Sequence, residues 1–364
     1  MTEKRGQEPF PRRKRFLTPF LLVAALIAVS VPPALRFRRA AMVLRGLEAT
    51  APSGDSIPVH PFHAPDRPGR PLGGRVYEGG GAATIVLCPG AAPTGIDDPR
   101  LVALARALAR AGARVVTPDL EDLRALRITG DTVDRIEAAV RSLPWPVTLM
   151  GISFAGSHCL RAAARPSARE RVRAVLSLGG YAELEPLVRG WLTAPAPADG
   201  SWPEECYGKW VYLENHLERF AAPSDRPALR EAIRSLLDGK GAPPPAGLTP
   251  EGRRLFDQVA RREPLPLDEV EALIAPTRAE LRALSPSGQL DGLAAPVFLL
   301  HATGDALIPE SESRRLAGEL AGRVPVRLLV TDLLNHVTVG GRPDRRQGRA
   351  LAAFLASLFR SSGW

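Results

Sequence analysis

The sequence predicts an α/β architecture: a mostly parallel sheet with helices on both faces and a helical excursion from it. Three observations carry this. From residue 59 to 180, short apolar runs alternate with amphipathic helical stretches. Over residues 181–290 the alternation breaks into helix-like segments rich in Pro and Gly. It resumes at Pro296 and continues to the end. The 364 residues, 45% hydrophobic and 24% charged, are long enough to bury a sizeable core, and their composition excludes a disordered chain or a disulfide-stapled mini-domain.

Residues 1–45 read as a basic N-terminus with a membrane anchor or signal segment. Phe16 to Leu35 runs uncharged for twenty residues. As a helix that is about 30 Å, the thickness of a hydrocarbon core. Pro32-Pro33 mark its end. Ala28-Val29-Ser30 offers small residues at signal-peptidase spacing, so a cleaved signal is the second reading. Six basic residues precede the run and Arg36, Arg38, Arg39 and Arg45 follow it. That bias predicts a single pass with the body outside the cytoplasm; cleavage of the signal would make it secreted or periplasmic.

The net charge of +9 suggests a nucleic-acid binder until it is located. Residues 1–45 hold ten basic side chains against Glu3 and Glu8; the rest holds 38 Lys+Arg against 37 Asp+Glu. The body is nearly neutral and shows no basic stripe for phosphates, so no nucleic-acid partner is expected. Cys88, Cys159 and Cys206 form neither a disulfide framework nor a Cys/His cluster for zinc, and no metal site is expected.

The core divides into residues 46–180 and 291–364 around a helical cap, 181–290. A Pro/Gly-rich link over residues 51–71 flanks two edge strands, Val59–His63 and Gly74–Tyr77. Thr84–Cys88, apolar and ended by Pro89-Gly90, predicts a buried parallel strand. Asp98 and Pro99 supply an N-cap and a first-position proline for the helix Arg100–Ala111, which Gly112 stops. Strands follow at Arg114–Thr117, Pro146–Met150 and Arg173–Leu178, with helices at Asp131–Leu143 and Phe154–Ala164. Beyond the cap come a strand at Pro296–His301, a helix at Ser311–Ala321, a strand at Pro325–Thr331 and a helix at Asp344–Phe359.

The informative segment is Gly151-Ile152-Ser153-Phe154-Ala155-Gly156, between a predicted strand and a predicted helix. A serine on so tight a turn has a strained backbone and needs small neighbours two residues away, and Gly151 and Ala155 satisfy this. The new helix points its free N–H groups at Ser153 Oγ. These features identify Ser153 as a candidate nucleophile.

The order of elements and these motifs resemble the α/β-hydrolase superfamily of serine hydrolases, in its esterase, lipase and dienelactone-hydrolase-like branches, over residues 72–180 and 292–360. The alanine at position 155, where the superfamily motif G-x-S-x-G has its last glycine, is a mild departure, since the constraint is size. The resemblance implies the chain order Ser, acid, His. It implies Asp305 as the acid, in His301-Ala302-Thr303-Gly304-Asp305, and His336 as the base, in Leu334-Asn335-His336. Glu183 and Glu185 are the other candidate acids, because some relatives take the acid from that loop. Of the six histidines, His158 is expected to pack and His301 to serve as a structural hydrogen-bonder. The oxyanion donors implied are the backbone N–H groups of Phe154 and Ala91. Relatives often carry His-Gly before the second donor; here the pair is Pro89-Gly90.

The activity implied is hydrolysis of a carboxylic ester through an acyl-enzyme, with no cofactor. An acyltransferase or peptidase on the same site, and a catalytically silent envelope binding protein, are the competing readings. A dehalogenase is excluded, since its nucleophile would be an aspartate at position 153. Tyr181, Trp191, Trp202, Tyr207, Trp210 and Tyr212 cluster early in the cap. They predict either an aromatic roof over the serine, suited to a hydrophobic acyl or aromatic group, or the cap's own core; the nearby membrane anchor adds lipid-like esters to the small-molecule esters expected as substrate.

Overall fold

The computed structural model describes residues 34–44, 57–67, 70–144, 146–194, 204–237, 240–260, 264–336, 338–339 and 344–364. Strands β1 (Val59–Arg67), β2 (Arg70–Tyr77), β3 (Thr84–Cys88), β4 (Arg114–Pro118), β5 (Val147–Ile152), β6 (Val172–Leu178), β7 (Val297–Ala302) and β8 (Val326–Thr331) form one sheet. Its order is β1-β2-β4-β3-β5-β6-β7-β8. Strands β3 to β8 pair in parallel, and β1 and β2 are antiparallel. A two-residue pair, β9 (Leu334–Asn335) and β10 (Thr338–Val339), flanks His336.

The helices are α1 (residues 34–44), α2 (Pro99–Arg110), α3 (Glu121–Arg124), α4 (Gly130–Ser142), α5 (Phe154–Ala164), α6 (Pro166–Arg169), α7 (Leu184–Thr193) and α8 (Glu204–Asn215). They continue with α9 (Leu217–Phe220), α10 (Arg226–Leu237), α11 (Pro250–Ala260), α12 (Leu267–Ile274), α13 (Arg278–Leu284), α14 (Glu310–Leu320) and α15 (Arg345–Ser361). Helices α7 to α13 lie between β6 and β7 and interrupt the alternation.

Strand periodicity sorts the core into two layers. Val86, Cys88, Leu149, Val175, Val297 and Leu299 join α4, α5, α14 and the α7–α13 block. Their neighbours Ile85, Leu87, Met150, Ala174, Leu176 and Phe298 face α1, α2 and α15. Every residue of β3 is buried, as a parallel strand covered on both faces requires. At the head of α2 the Asp98 carboxylate accepts from Arg100 N at 2.9 Å, and Gly112 takes φ +106° where the helix stops.

Some boundaries differ from expectation. The Pro/Gly-rich stretch assigned to a link continues the hairpin, with β1 reaching Arg67 and β2 starting at Arg70. It lies at the sheet's edge, where β1 has a single partner and prolines are tolerated. The short helices α3 and α6 were not expected. No helix among the described residues is long and apolar enough to cross a membrane. Of the uncharged run, residues 16–33 lie outside the described residues, as do Trp202 and the signal-peptidase motif.

Candidate active site

Ser153 sits between β5 and α5 with φ +53° and ψ −128°, a backbone that L-residues adopt only under constraint. The turn is over-determined. Ser153 N donates to Leu178 O on β6 at 2.7 Å, and Gly156 N donates to Ser153 O at 2.8 Å. A Cβ at Gly151 would fall 2.3 Å from Ala155 O, and one at Gly156 would fall 2.4 Å from Ser177 Oγ. Backbone crowding therefore fixes glycine at 151, a side chain at 156 would have to displace the Ser177 hydroxyl, and Ala155 is fully buried.

His336 and Asp305 arrive from the loops after β8 and β7. His336 Nε2 lies 3.2 Å from Ser153 Oγ, and its Nδ1 lies 2.6 Å from Asp305 Oδ2. His336 itself has φ +49°, so its loop is also held in an uncommon conformation. Asp305 Oδ1 accepts from Leu307 N at 3.0 Å and from Ile308 N at 2.9 Å. Burial pushes the Asp305 pKa up. The hydrogen bonds from His301 and His336 and from Ile308 N–H outweigh burial and hold it well below the usual carboxylate range. The ionised carboxylate fixes His336 with its proton on Nδ1 and a lone pair on Nε2 facing the serine hydroxyl.

Beneath Asp305 lies His301, fully buried. Its Nε2 donates to Ile308 O at 2.7 Å and passes 3.5 Å from Asp305 Oδ2; its Nδ1 contacts Ser313 Oγ at 2.7 Å. His301 thus ties the acid's turn to β7 and α14. The other candidate acids are engaged elsewhere: Glu185 with Arg278 at 2.9 Å and Glu183 with Arg315 at 3.1 Å. His158 is buried on α5, edge-on to Tyr181, with neither ring nitrogen hydrogen-bonded.

The loop after β3 passes beside Ser153, and a Cβ at Gly90 would fall 3.3 Å from Ser153 Cβ. That places Ala91 next to the serine. Phe154 opens α5, so its N–H has no partner within the helix.

The aromatic cluster divides in two. Trp210 Nε1 donates to Val259 O, and Tyr212 Oη donates to Leu273 O at 2.8 Å, both inside the block of helices between β6 and β7. Tyr181 and Trp191 instead stack on Phe154, with centroids 5.7 and 6.0 Å away. Two rings brace the loops that hold Asp305 and Ala91, contacts that no local sequence signal marks. Trp191 Nε1 donates to Leu307 O at 2.6 Å, behind Asp305, and Tyr207 Oη donates to Ala91 O at 3.0 Å.

No protein-family profile matches the chain, and no curated protein matches it in sequence. Among solved structures it is similar to a puromycin-hydrolyzing peptidase of Mycobacterium tuberculosis, at 17% identity and TM-score 0.50, over 87% of this chain and 41% of that one. It is also similar to a puromycin hydrolase, at 12% identity and TM-score 0.51, over 86% of this chain and 40% of that one. A dienelactone hydrolase from Anabaena variabilis aligns at 17% identity and TM-score 0.43, over 84% of this chain and 97% of that one. The chain therefore spans well under half the length of the first two. With the strand order, those two likenesses define the class of architecture: the chain has the α/β-hydrolase fold.

Proposed function

We propose that the chain is a serine hydrolase that cleaves a carboxylic ester through Ser153, His336 and Asp305. One observation carries the reading: a buried carboxylate, an imidazole and a serine hydroxyl stand in line, 2.6 and 3.2 Å apart, with the serine on a strained turn at a helix N-terminus.

In this mechanism Ser153 Oγ attacks the ester carbonyl carbon while His336 Nε2 takes its proton. Asp305 stabilises the imidazolium through Nδ1–H. The carbonyl oxygen becomes an oxyanion that accepts from the Phe154 and Ala91 N–H groups. The imidazolium then protonates the leaving alkoxide, and the C–O bond to the alcohol breaks, leaving the acyl group on Ser153. Water, deprotonated by His336, attacks the acyl carbon, and the returning proton restores Ser153 as the acid departs.

The second part of the proposal is location. The uncharged run of residues 16–35, with the basic residues around it, supports a membrane tether with the catalytic body outside the cytoplasm.

The test of the catalytic reading is labelling with a fluorophosphonate probe, comparing the natural protein with Ser153→Ala. Label on the natural protein alone, mapped by mass spectrometry to the peptide holding Ser153, is the expected result. Folded natural protein that takes no label would overturn the assignment.

A further inference from the structure

The described chain begins with α1, and α1 has two unlike faces. At 100° per residue, Ala40 and Val43 point the same way and are fully or almost fully buried in the layer with α2 and α15. Arg36 lies between them on that face, Arg39 lies beside it, and both engage Trp364. Arg36 Nε donates to Trp364 O at 3.2 Å, and the Arg39 guanidinium stands 5.5 Å from the centre of the Trp364 ring. The opposite arc carries Ala34, Leu35, Phe37, Arg38, Ala41 and Met42, with one charge among the six.

That arc is mostly apolar and, apart from the half-buried Ala41, exposed. Leu35, Phe37 and Met42 are 44, 48 and 38% exposed. Among the described residues only five large hydrophobic side chains are so exposed, and a fourth, Val59, opens β1.

The position of α1 on the sheet follows from Trp364. Gly112, just before β4, faces the indole, and a Cβ there would fall 3.6 Å from Trp364 Nε1. Gly363 abuts Arg173, the second residue of β6. Val59 pairs with Tyr77, which pairs with Val115 near the start of β4. All of these mark the edge where the parallel strands begin. Ser153, Asp305 and His336 lie at the other edge, after the strands end. The six residues of β5 separate the two edges by about 20 Å.

We propose that α1 is an interfacial helix seated on an anionic lipid surface. It turns the sheet's amino-terminal edge toward the bilayer, and the Ser153 site opens away from it, onto a water-soluble substrate rather than an ester embedded in that bilayer. The proposal rests on the membrane reading above. The occupant is argued from the chain itself. The uncharged run ends at Leu35, the second residue of α1, so the exposed arc stands where the chain would leave the hydrocarbon. An amphipathic helix whose exposed apolar arc carries the single charge of Arg38 suits the headgroup layer of an anionic surface.

The experiment uses the full chain in vesicles of phosphatidylcholine and phosphatidylglycerol that contain headgroup-nitroxide lipid, a contact-range quencher. In a Cys206→Ser background, one fluorophore is placed at Ala41→Cys on α1 and, separately, one at Thr303→Cys beside Asp305. The expected result is strong quenching at 41 and little at 303. It is accompanied by hydrolysis of nitrophenyl butyrate from solution and several-fold slower hydrolysis of a fluorogenic phospholipid in the same vesicles. Equal quenching at both positions overturns the orientation. No quenching at 41 overturns the lipid contact, and a dimer that covers residue 41 gives the face to a second copy. Preferred hydrolysis of the phospholipid overturns the substrate class. Failure of a fluorophosphonate to label Ser153 refutes the enzymatic reading instead, and leaves the two quenching measurements to judge the orientation.

Discussion

Asp305→Asn isolates what the acid does. In the natural protein Asp305 Oδ1 accepts from Leu307 N and Ile308 N, while Oδ2 faces His336 Nδ1 at 2.6 Å. An asparagine must satisfy the same two N–H donors with its carbonyl oxygen, so its NH2 group takes the Oδ2 position and donates to Nδ1. The imidazole proton then moves to Nε2, which meets Ser153 Oγ as a donor and cannot accept its proton. Turning the amide over restores the productive tautomer but sets an NH2 group against two buried N–H donors, at about 1–3 kcal/mol for each group left unsatisfied. The asparagine also cannot stabilise the imidazolium by charge. Together these predict a fall in kcat of about 10⁴-fold, roughly 5 kcal/mol of transition-state stabilisation. The assay is kcat on nitrophenyl butyrate and the rate of fluorophosphonate labelling, with the thermal transition followed on the same samples. Acid stability gives a second readout. The folded Asp305 pKa lies below its ordinary value of 3.8. Its contribution is therefore complete above that value and is lost as pH falls through the folded pKa; the asparagine variant lacks this loss. An asparagine variant that kept more than about a tenth of the natural kcat would refute the tautomer argument.

Three further substitutions test separate parts of the arrangement. Tyr207→Phe removes the bond to Ala91 O, and is expected to lower kcat several-fold and stability by about 1 kcal/mol with KM nearly unchanged. An unaltered kcat would show that the oxyanion loop holds itself. Gly151→Ala places a Cβ 2.3 Å from Ala155 O, so the turn must open. A displacement near 1 Å predicts about a 100-fold loss of activity, measured by kcat beside the thermal transition. His158, pushed down from 6.5 to about 3 by burial first and by Arg161 second, is neutral when folded. Above pH 6.5 it costs nothing; as pH falls from there toward 3 only the unfolded chain binds its proton, removing about 1.4 kcal/mol per pH unit. His158→Leu should flatten that slope in urea titrations at pH 5 and pH 8, and an unchanged slope would place the acid sensitivity elsewhere.

What the sequence reveals of the fold depends on how local each cause is. Strands β3, β5, β6 and β7 are legible because buried parallel strands are continuous apolar runs closed by turn residues. The cap of α2 is legible because Asp98 and Pro99 act within a few residues. The constraint at Ser153 is legible for the same reason, since Gly151 is held by the backbone of Ala155, four residues on. The prolines of the β1–β2 hairpin mislead because they signal a linker unless the edge position is known. The braces were hidden because they are long-range: Trp191 reaches Leu307, and Tyr207 reaches Ala91, across 116 residues each. An aromatic cluster is visible in the sequence, but which carbonyl each ring meets is not.

Those braces bear on what the helices between β6 and β7 are for. A lid separable from the site would touch it through side chains that come and go with substrate. Here the contacts are to backbone carbonyls of the two loops that hold Ala91 and Asp305, made by rings on adjacent helices. The helices are also locked to each other, because a Cβ at Gly208 on α8 would fall 2.3 Å from the Trp191 ring on α7. Trp191 in turn packs edge-on against Phe154, the first residue of α5, directly after Ser153. One block of aromatic packing therefore touches the serine's helix, the acid's turn and the loop beside the serine. The position of Tyr207 is the most telling. The turn after β3 carries Pro89, which has no side-chain donor, and the support behind Ala91 comes from a phenol on α8. The helices between β6 and β7 thus complete the shape of the site before any substrate arrives. Shortening them would be expected to cost catalytic geometry before it relaxed the choice of substrate.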